Sequence, residues 1–303
     1  MLIGILSRSR RLYSTRRLVE SAGDLGHETL VLDPLQCDPV LEHGRLAILY
    51  RHGVLHVDEL DVVLPRIGTS ITEHGLAVVN QLDMMGVPLI NNSQPIARSR
   101  DKLRALQLLA RAAIPIPRSV MARHPSQASQ ALALVGGAPV ILKLMKGTQG
   151  VGVILAETEQ IVQQVMETFW SMRLTVLIQE FVEESEGRDV RALVVGRRVV
   201  SAMRRHARLG EFRSNVHRGG IGVAVQLPPA HARVAVRACR AMGLQVAGVD
   251  MLESREGPRV IEVNSSPGFE GIEQCTGTDV ARQVVEYAVA WGRRSRRKAG
   301  RSA

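Results

Sequence analysis

The sequence predicts a mixed architecture, an α/β layer followed by an α+β region. Two patterns carry that expectation. Over residues 1–92 short apolar runs alternate with helical segments, the order that builds a largely parallel sheet. Beyond residue 175 strands outnumber helices and come in consecutive pairs. The opening LIGIL (2–6) is a continuous apolar run, as in a buried parallel strand, and a helical stretch from Tyr13 to Leu25 stops at Gly26. Strand patterns follow at 29–33, in a weaker hairpin near 46–56, and at 61–68. A helix from Thr72 to Met85 then leads to a last strand, VPLINN, at 87–92. The first βα turn, SRSRRLYS, lacks the G-x-G-x-x-G of dinucleotide sites.

Ser93 opens a different texture. SQPIARSRDKLRALQLLARAAIP has apolar positions at helical spacing and is predicted as one helix, stopped by Pro115 and Pro117. A helix over 126–135, strands at 138–145 and 151–157, a helix over 159–170 and a strand at 175–182 follow. Strands are then expected at 189–196 and 198–205, a helix at 229–243, strands at 246–252 and 258–264, and a helix over 278–292. The expected units are therefore 1–92, 93–178 and 179–292, with 293–303 a disordered basic tail.

A chain of 303 residues has room for about two domains. Its 45% apolar and 22% charged content supplies a packed core without the signature of disorder. The net charge is +10, yet Arg293, Arg294, Arg296, Arg297, Lys298 and Arg301 crowd the last eleven residues with no acid among them. Without those six the remainder carries only +4. Lysine is scarce: four of the 39 basic residues, at 102, 143, 146 and 298. No run of about 18 apolar residues exists to span a bilayer. The N-terminus places its apolar stretch ahead of its charges, the reverse of a secretory signal. Three dispersed cysteines fit a reducing compartment, so a cytoplasmic location is expected. With 3% aromatics, a base-stacking surface for single strands has little to work with.

Four motifs carry chemistry. GTQGVG (147–152) joins two strands, and closely spaced glycines let backbone N–H groups converge on phosphate oxygens. A plain flexible hairpin has the same composition. Lys143, in the otherwise apolar strand before it, needs a partner or solvent, because an unpaired buried ammonium is costly. VAGVDML…GPRVIEVNSSPG is more specific. Folded about residue 256, it sets Asp250 opposite Glu262, with Asn264 two residues on and on the same face. Facing carboxylates repel unless a cation lies between them, and hard oxygen donors suit Mg²⁺ or Mn²⁺. The third, QEFVEESEGRDVR (179–191), places Gln179 and Glu180 at a strand end and Asp189 and Arg191 on one face of the next strand. An acidic loop is its bland reading. The fourth, RRHARLGEFRSNVHRGG (204–220), offers Arg204, Arg205, Arg213 and Arg218, guanidinium forks for phosphate or carboxylate, or a solvated loop.

In order, LPRIGT, RSRDKLRALQLLA, GGAPVILKLMKGTQGVGV, QEFVEESEGRDVRALVVG, FRSNVHRGG, VAGVDML and IEVNSSPGFEGIE resemble the RimK family of ATP-grasp ligases over residues 1–290. The resemblance implies an ATP-grasp fold preceded by a small Rossmann-like pre-ATP-grasp domain. It implies that Lys102 and Lys143 touch ATP phosphates under a loop containing Gly147, Thr148, Gln149 and Gly150. Glu180, Phe181 and Val182 would meet adenine and Asp189 the ribose. Arg213, Ser214 and Asn215 would lie at the phosphate end, with Arg213 and Arg191 assisting catalysis. Asp250, Glu262 and Asn264 would hold two magnesium or manganese ions.

The activity so implied is ATP-dependent addition of glutamate to the C-terminus of a ribosomal small-subunit protein through an acyl phosphate, by a homo-oligomer such as a tetramer. Other acceptors keep the same chemistry: a coenzyme, a small amino acid, or glutamate itself in poly-α-glutamate synthesis. A ribosome- or RNA-binding module using the Arg-rich tail is the reading from another class. Arg8, Tyr13, Arg66 and Arg218 are the places where substrate choice would be written.

Overall fold

The computed structural model describes residues 1–145, 152–208 and 220–299. The N-terminal layer is a three-stranded parallel sheet in the order β2–β1–β6, from β1 (Leu2–Leu6), β2 (Glu28–Leu32) and β6 (Val62–Pro65). Between β2 and β6 an antiparallel ribbon inserts: β3 (Cys37–Glu42), β4 (Arg45–Tyr50) and β5 (Gly53–Val54). Helices α1 (Tyr13–Asp24) and α2 (Thr72–Met84) cover the sheet. The strand expected at 87–92 reduces to one parallel bridge, Val63 to Leu89. Pro88 has no N–H to give a ladder, and Asn91 turns into left-handed backbone at φ 70°. That turn has a use. Buried Asn91 donates to the carbonyls of Val246 (2.7 Å) and Ser265 (3.0 Å) and accepts from the amide of Gln245 (2.8 Å), stitching the N-terminal layer to the C-terminal sheet.

The predicted single helix after Ser93 is two: α3 (Ser93–Arg100) and α4 (Lys102–Arg111). Asp101 takes extended backbone (φ −94°, ψ 106°), and its carboxylate accepts the Arg104 amide at 3.0 Å. A short polar side chain competes for free amides at a helix start, which here outweighs continuous periodicity. Both helices pack against the C-terminal sheet and α7 (Pro229–Met242).

The central sheet runs β7–β10–β8–β9, from β7 (Ser119–Ala122), β8 (Val140–Leu144), β9 (Val153–Ala156) and β10 (Val176–Glu180). Helices α5 (Ala128–Val135) and α6 (Glu159–Ser171) bury one face of it through Val140, Leu142, Ala156 and Ile178. Lys143 and Gln179 lie on the other face.

The C-terminal sheet has the order β13–β12–β11–β14–β15, from β11 (Arg188–Val195), β12 (Arg198–His206), β13 (Ile221–Ala224), β14 (Val246–Ser254) and β15 (Gly257–Asn264). One face is apolar along its length: Val190, Ala192, Val194, Val249, Met251 and Val263 pack under α7 and α4. The opposite face changes character midway. Leu193, Val195 and Val246 join the core shared with the N-terminal sheet, α8 (Glu270–Thr276) and α9 (Val280–Ala299), whereas Asp189, Arg191 and Asp250 continue the same face beyond that cover. Alternation fixes all these residues to one side. The boundary between covered and open halves makes the cleft.

α9 runs seven residues past its expected end, so 293–299 of the expected tail are helical, while 300–303 lie outside the described residues. A Cβ at Gly292 would meet the Asp61 carbonyl oxygen at 2.8 Å; glycine lets the helix close on the N-terminal layer, and Arg296 then pairs with Asp61 at 2.7 Å. No described helix is long and apolar enough to cross a membrane.

Candidate active site

The register of β14 on β15 places Asp250 opposite Glu262, and Gly248 opposite Asn264. The turn itself pairs Ser254 with Gly257, and a shift between Asp250 and Met251 brings the two carboxylates face to face. Asp250 is buried and engaged by two guanidiniums. Arg191 grips it bidentately (Nε 2.7 Å, Nη2 2.6 Å), and Arg205 Nη2 donates at 2.9 Å. Buried Arg205 also grips Asp189 with both branches (2.6 and 2.7 Å). Burial opposes ionisation of Asp250, and the two guanidiniums outweigh it, holding its carboxyl well below the usual carboxylate range. Glu262 differs. It opens into the cleft and makes no hydrogen bond or ion pair among the described residues; desolvation, then the facing Asp250, push its carboxyl up.

Across the cleft Lys143 Nζ donates to Gln179 Oε1 (2.7 Å), and Gln179 Nε2 donates to Ser119 Oγ (2.8 Å). Lys102, at the first turn of α4 because Asp101 breaks the helix, donates from Nζ to the Leu144 carbonyl at 2.7 Å. Both ammoniums have neutral partners. Desolvation pushes Lys143 down to about 8, against the opposing pull of Glu262, and lowers Lys102 as well.

The structure thus brings Lys102, Lys143, Arg191, Asp250 and Glu262 to one cleft, with Asn264 on the same hairpin. Asn264 Oδ1 accepts the Ser266 amide at 3.2 Å, and the hydroxyls of Ser265 and Ser266 are buried without a partner. Asp189 lies one strand further, its carboxylate occupied by Arg205. Glu180 accepts from the amide (2.9 Å) and Nε (3.3 Å) of Arg118, while its own amide serves the Arg118 carbonyl; the Val182 carbonyl accepts from Ser185. Phe181 is half-buried between them. Gly147, Thr148, Gln149, Gly150, Arg213, Ser214, Asn215 and Arg218 lie outside the described residues.

The chemistry of the donors fits a hard divalent cation. Two carboxylates and an amide oxygen sit on one hairpin; Glu262 has no partner among the described residues, and Asp250 would share its oxygens between the cation and the guanidiniums of Arg191 and Arg205. No cluster of three or more His, Cys, Asp or Glu exists among the described residues, so a cation held here would need further oxygens, such as phosphates, to complete its shell.

Sequence reasoning singled out Arg205 without its partners. Folding 189–205 about Arg197 would have set Asp189 opposite Arg205, the register observed. Arg100 and Asn91 gave no local signal, because their partners lie in other layers.

An open α/β cleft with lysines on one wall and a carboxylate hairpin on the other defines a nucleotide-using ligase of the ATP-grasp type. Residues 99–288 match the RimK-like ATP-grasp domain and residues 1–96 the RimK PreATP-grasp domain. The chain belongs to the RimK family of ATP-grasp enzymes. It is 51% identical over 287 residues to a probable alpha-L-glutamate ligase of Cellvibrio japonicus, covering 95% of each chain. A second relative, the probable alpha-L-glutamate ligase of Chromohalobacter salexigens, is 48% identical over 287 residues, 95% of this chain and 94% of that one. Among solved structures, the RimK domain ATP-grasp protein of Sphaerobacter thermophilus superposes with a TM-score of 0.70 at 22% identity, over 95% of this chain and all of that one. The ATP-grasp ligase PsnB, complexed with a minimal precursor, Mg and ADP, gives 0.75 at 21% identity, over 96% of this chain and 98% of that one. These two likenesses support the fold.

Proposed function

We propose that this enzyme is an ATP- and Mg²⁺-dependent alpha-L-glutamate ligase, and that its acceptor is the C-terminal carboxylate of a ribosomal small-subunit protein. The observation that carries the reaction class is the carboxylate pair Asp250–Glu262 across the cleft from two desolvated lysines held only by neutral oxygens. Such a cleft wants a polyanion on the lysine wall and a divalent cation on the hairpin. The curated relatives supply glutamate, and the family resemblance supplies the acceptor.

A carboxylate is a poor electrophile. Attack of an acceptor carboxylate oxygen on the γ-phosphorus of ATP forms the C–O–P bond and expels ADP. The glutamate amine then attacks the acyl carbon, the C–O bond breaks, inorganic phosphate leaves with the electron pair, and the amine's proton passes to solvent or base. Lys102 and Lys143 bind and orient the phosphates in this scheme. Asp250, Glu262 and Asn264 would hold Mg²⁺, which when bound neutralises phosphate charge. Arg191 and Arg205 keep Asp250 ionised and aimed. The protein works by positioning and charge balance, with no covalent nucleophile.

Incubation with ATP, Mg²⁺, glutamate and purified ribosomal proteins, followed by intact-mass measurement, tests this. Expected are increments of one glutamyl residue on a single small-subunit protein. Glutamylation of another acceptor alone overturns the acceptor, and ADP release that is indifferent to glutamate overturns the amino acid.

A further inference from the structure

Two guanidiniums in the cleft have no carboxylate. Arg66 follows the last residue of β6, and Arg100 ends α3. Arg66 Nη2 donates to the Pro267 carbonyl at 2.6 Å, and its guanidinium lies 5.6 Å from the ring centre of buried Phe269. Arg100 Nη2 donates to the carbonyl of Ile67, the neighbour of Arg66, and Arg100 Nε is buried with no hydrogen-bond partner. Neither makes an ion pair with any described residue, and both side chains are half-buried. Burial and mutual repulsion push Arg66 down to about 10. Burial also lowers Arg100, which feels Glu262 as its one favourable charge.

Their place is the informative part. A Cβ at Gly248 would stand 2.9 Å from Pro267 Cβ and 3.9 Å from Arg191 Nε. Glycine there lets the loop that holds Arg66 lie directly on the strand carrying Asp250, two residues away on the same face. The guanidinium pair therefore borders the Asp250–Glu262 hairpin on the side of the N-terminal layer, while the lysines border it on the side of the central sheet. An unsatisfied buried guanidinium N–H is expensive, and a planar fork is shaped for two oxygens.

We infer that Arg66 and Arg100 form a subsite for a substrate carboxylate, separate from the lysine wall that takes phosphate. The ligand is a carboxylate of either the incoming amino acid or the acceptor. This deepens the reading of the enzyme as a carboxylate–amine ligase and rests on it. Tethering to backbone carbonyls and to Phe269 fixes both forks, so the carboxylate would be presented in one orientation beside the phosphoryl donor. Because the pair comes from β6 and α3, substrate choice would be set partly by the N-terminal layer.

The test compares wild type with Arg100→Met, Arg66→Met and the conservative Arg100→Lys, each checked for an unchanged thermal transition. Isothermal titration with L-glutamate, and separately with an acceptor C-terminal peptide, is done in the presence of a non-hydrolysable ATP analogue and Mg²⁺. Expected is an affinity loss of about tenfold or more for one of the two ligands in either Met variant, partial recovery in Arg100→Lys, and analogue affinity within about threefold. In turnover, KM for that same ligand rises while KM for ATP stays. Loss confined to glutamate assigns the subsite to the amino acid; loss confined to the peptide assigns it to the acceptor. Unchanged affinity for both, or an equal loss for the analogue, overturns the inference. Where a Met variant does not fold, Arg100→Lys alone decides by the same criteria. Wild type that binds a carboxylate through the pair but forms no amide overturns the proposed reaction and leaves the subsite standing.

Discussion

On the C-terminal sheet, Asp189, Arg205, Asp250 and Arg191 satisfy one another in an alternating chain of charge, each guanidinium gripping a carboxylate with both branches. On the facing walls Lys102, Lys143, Arg66 and Arg100 have only neutral oxygens as partners. Both groups are desolvated, so the difference lies in what the fold supplies. The first arrangement is complete in the free protein and fixes geometry. The second leaves positive charge without a counter-charge, as a site for anionic ligands would require. Removing a charge should therefore have opposite effects on stability in the two regions, while activity suffers in both.

The largest effect is expected from Asp250→Asn. Arg205 and Arg191 would each lose a buried counter-charge, and breaking a buried pair on one side costs about 3 kcal/mol or more. Amide formation should fall by roughly 10³-fold if Asp250 is the cation ligand proposed above. Glu262→Gln sharpens the point. It should reduce turnover comparably and leave stability unchanged or slightly higher, because the carboxylate it removes has no partner and faces another acid. Urea titration with a coupled ADP assay reads both; wild-type turnover in either variant refutes the metal assignment, and equal destabilisation by both refutes the contrast.

Lys143→Met is next. Its ammonium is held at about 8 in the folded protein, below its ordinary value near 10.4 in the unfolded chain. Between those values the unfolded chain binds more protons, so this group makes the free protein more stable as pH rises from 8 toward 10.4. At pH 7 the charged folded form is penalised, and replacement by Met should stabilise the free protein by roughly 1–2 kcal/mol, allowing for its partial contact with solvent. ATP-analogue affinity should fall about tenfold or more, and in wild type should weaken as pH passes 8 and the phosphate loses its ammonium. Destabilisation at pH 7 together with unaltered analogue affinity would erase the distinction between the two regions.

How much of this could be read from the chain depends on the range of the contact. Asp250 facing Glu262 was legible because a hairpin reflects sequence about its turn. The midpoint rule works here because the register shift beside Asp250 cancels the offset of the tight Ser254–Gly257 turn. Lys143 was legible as a charge in an apolar strand. The break at Asp101 was hidden, since periodicity continues through it and the cap is one side-chain hydrogen bond. The strand at 87–92 failed for a related reason: its apolar residues are buried as expected, but Pro88 and the left-handed Asn91 withhold them from a ladder. Arg100 and Asn91 act across layers, where neither spacing nor alternation carries information. Three elements, β7, β13 and α8, were too short to stand out from the surrounding turns, and β3, which carries Asp38 and Pro39, was missed as well.

The basic end of the chain gives the third term of the comparison, positive charge that is neither paired inside the fold nor left without a counter-charge in the cleft. Arg296 meets Asp61 at 2.7 Å but is more than half exposed, and Asp61 keeps a second use, accepting the Leu2 amide. Surface pairs of this kind contribute about 0–1 kcal/mol. Arg294 lies over Tyr287 and Trp291 at 5.9 and 5.7 Å, an exposed contact of similar size. Deleting 293–303 leaves Gly292 and its close approach to Asp61 in place. It should lower stability by no more than about 1 kcal/mol and change kcat for amide formation by less than about twofold. If this segment only guides the enzyme to an anionic acceptor, KM for a whole ribosomal protein will rise in the deletion and will become less sensitive to salt, while KM for glutamate and ATP stays. A collapse of kcat would instead place the segment within the catalytic machinery and remove the separation between surface charge and cleft charge on which the other predictions rest.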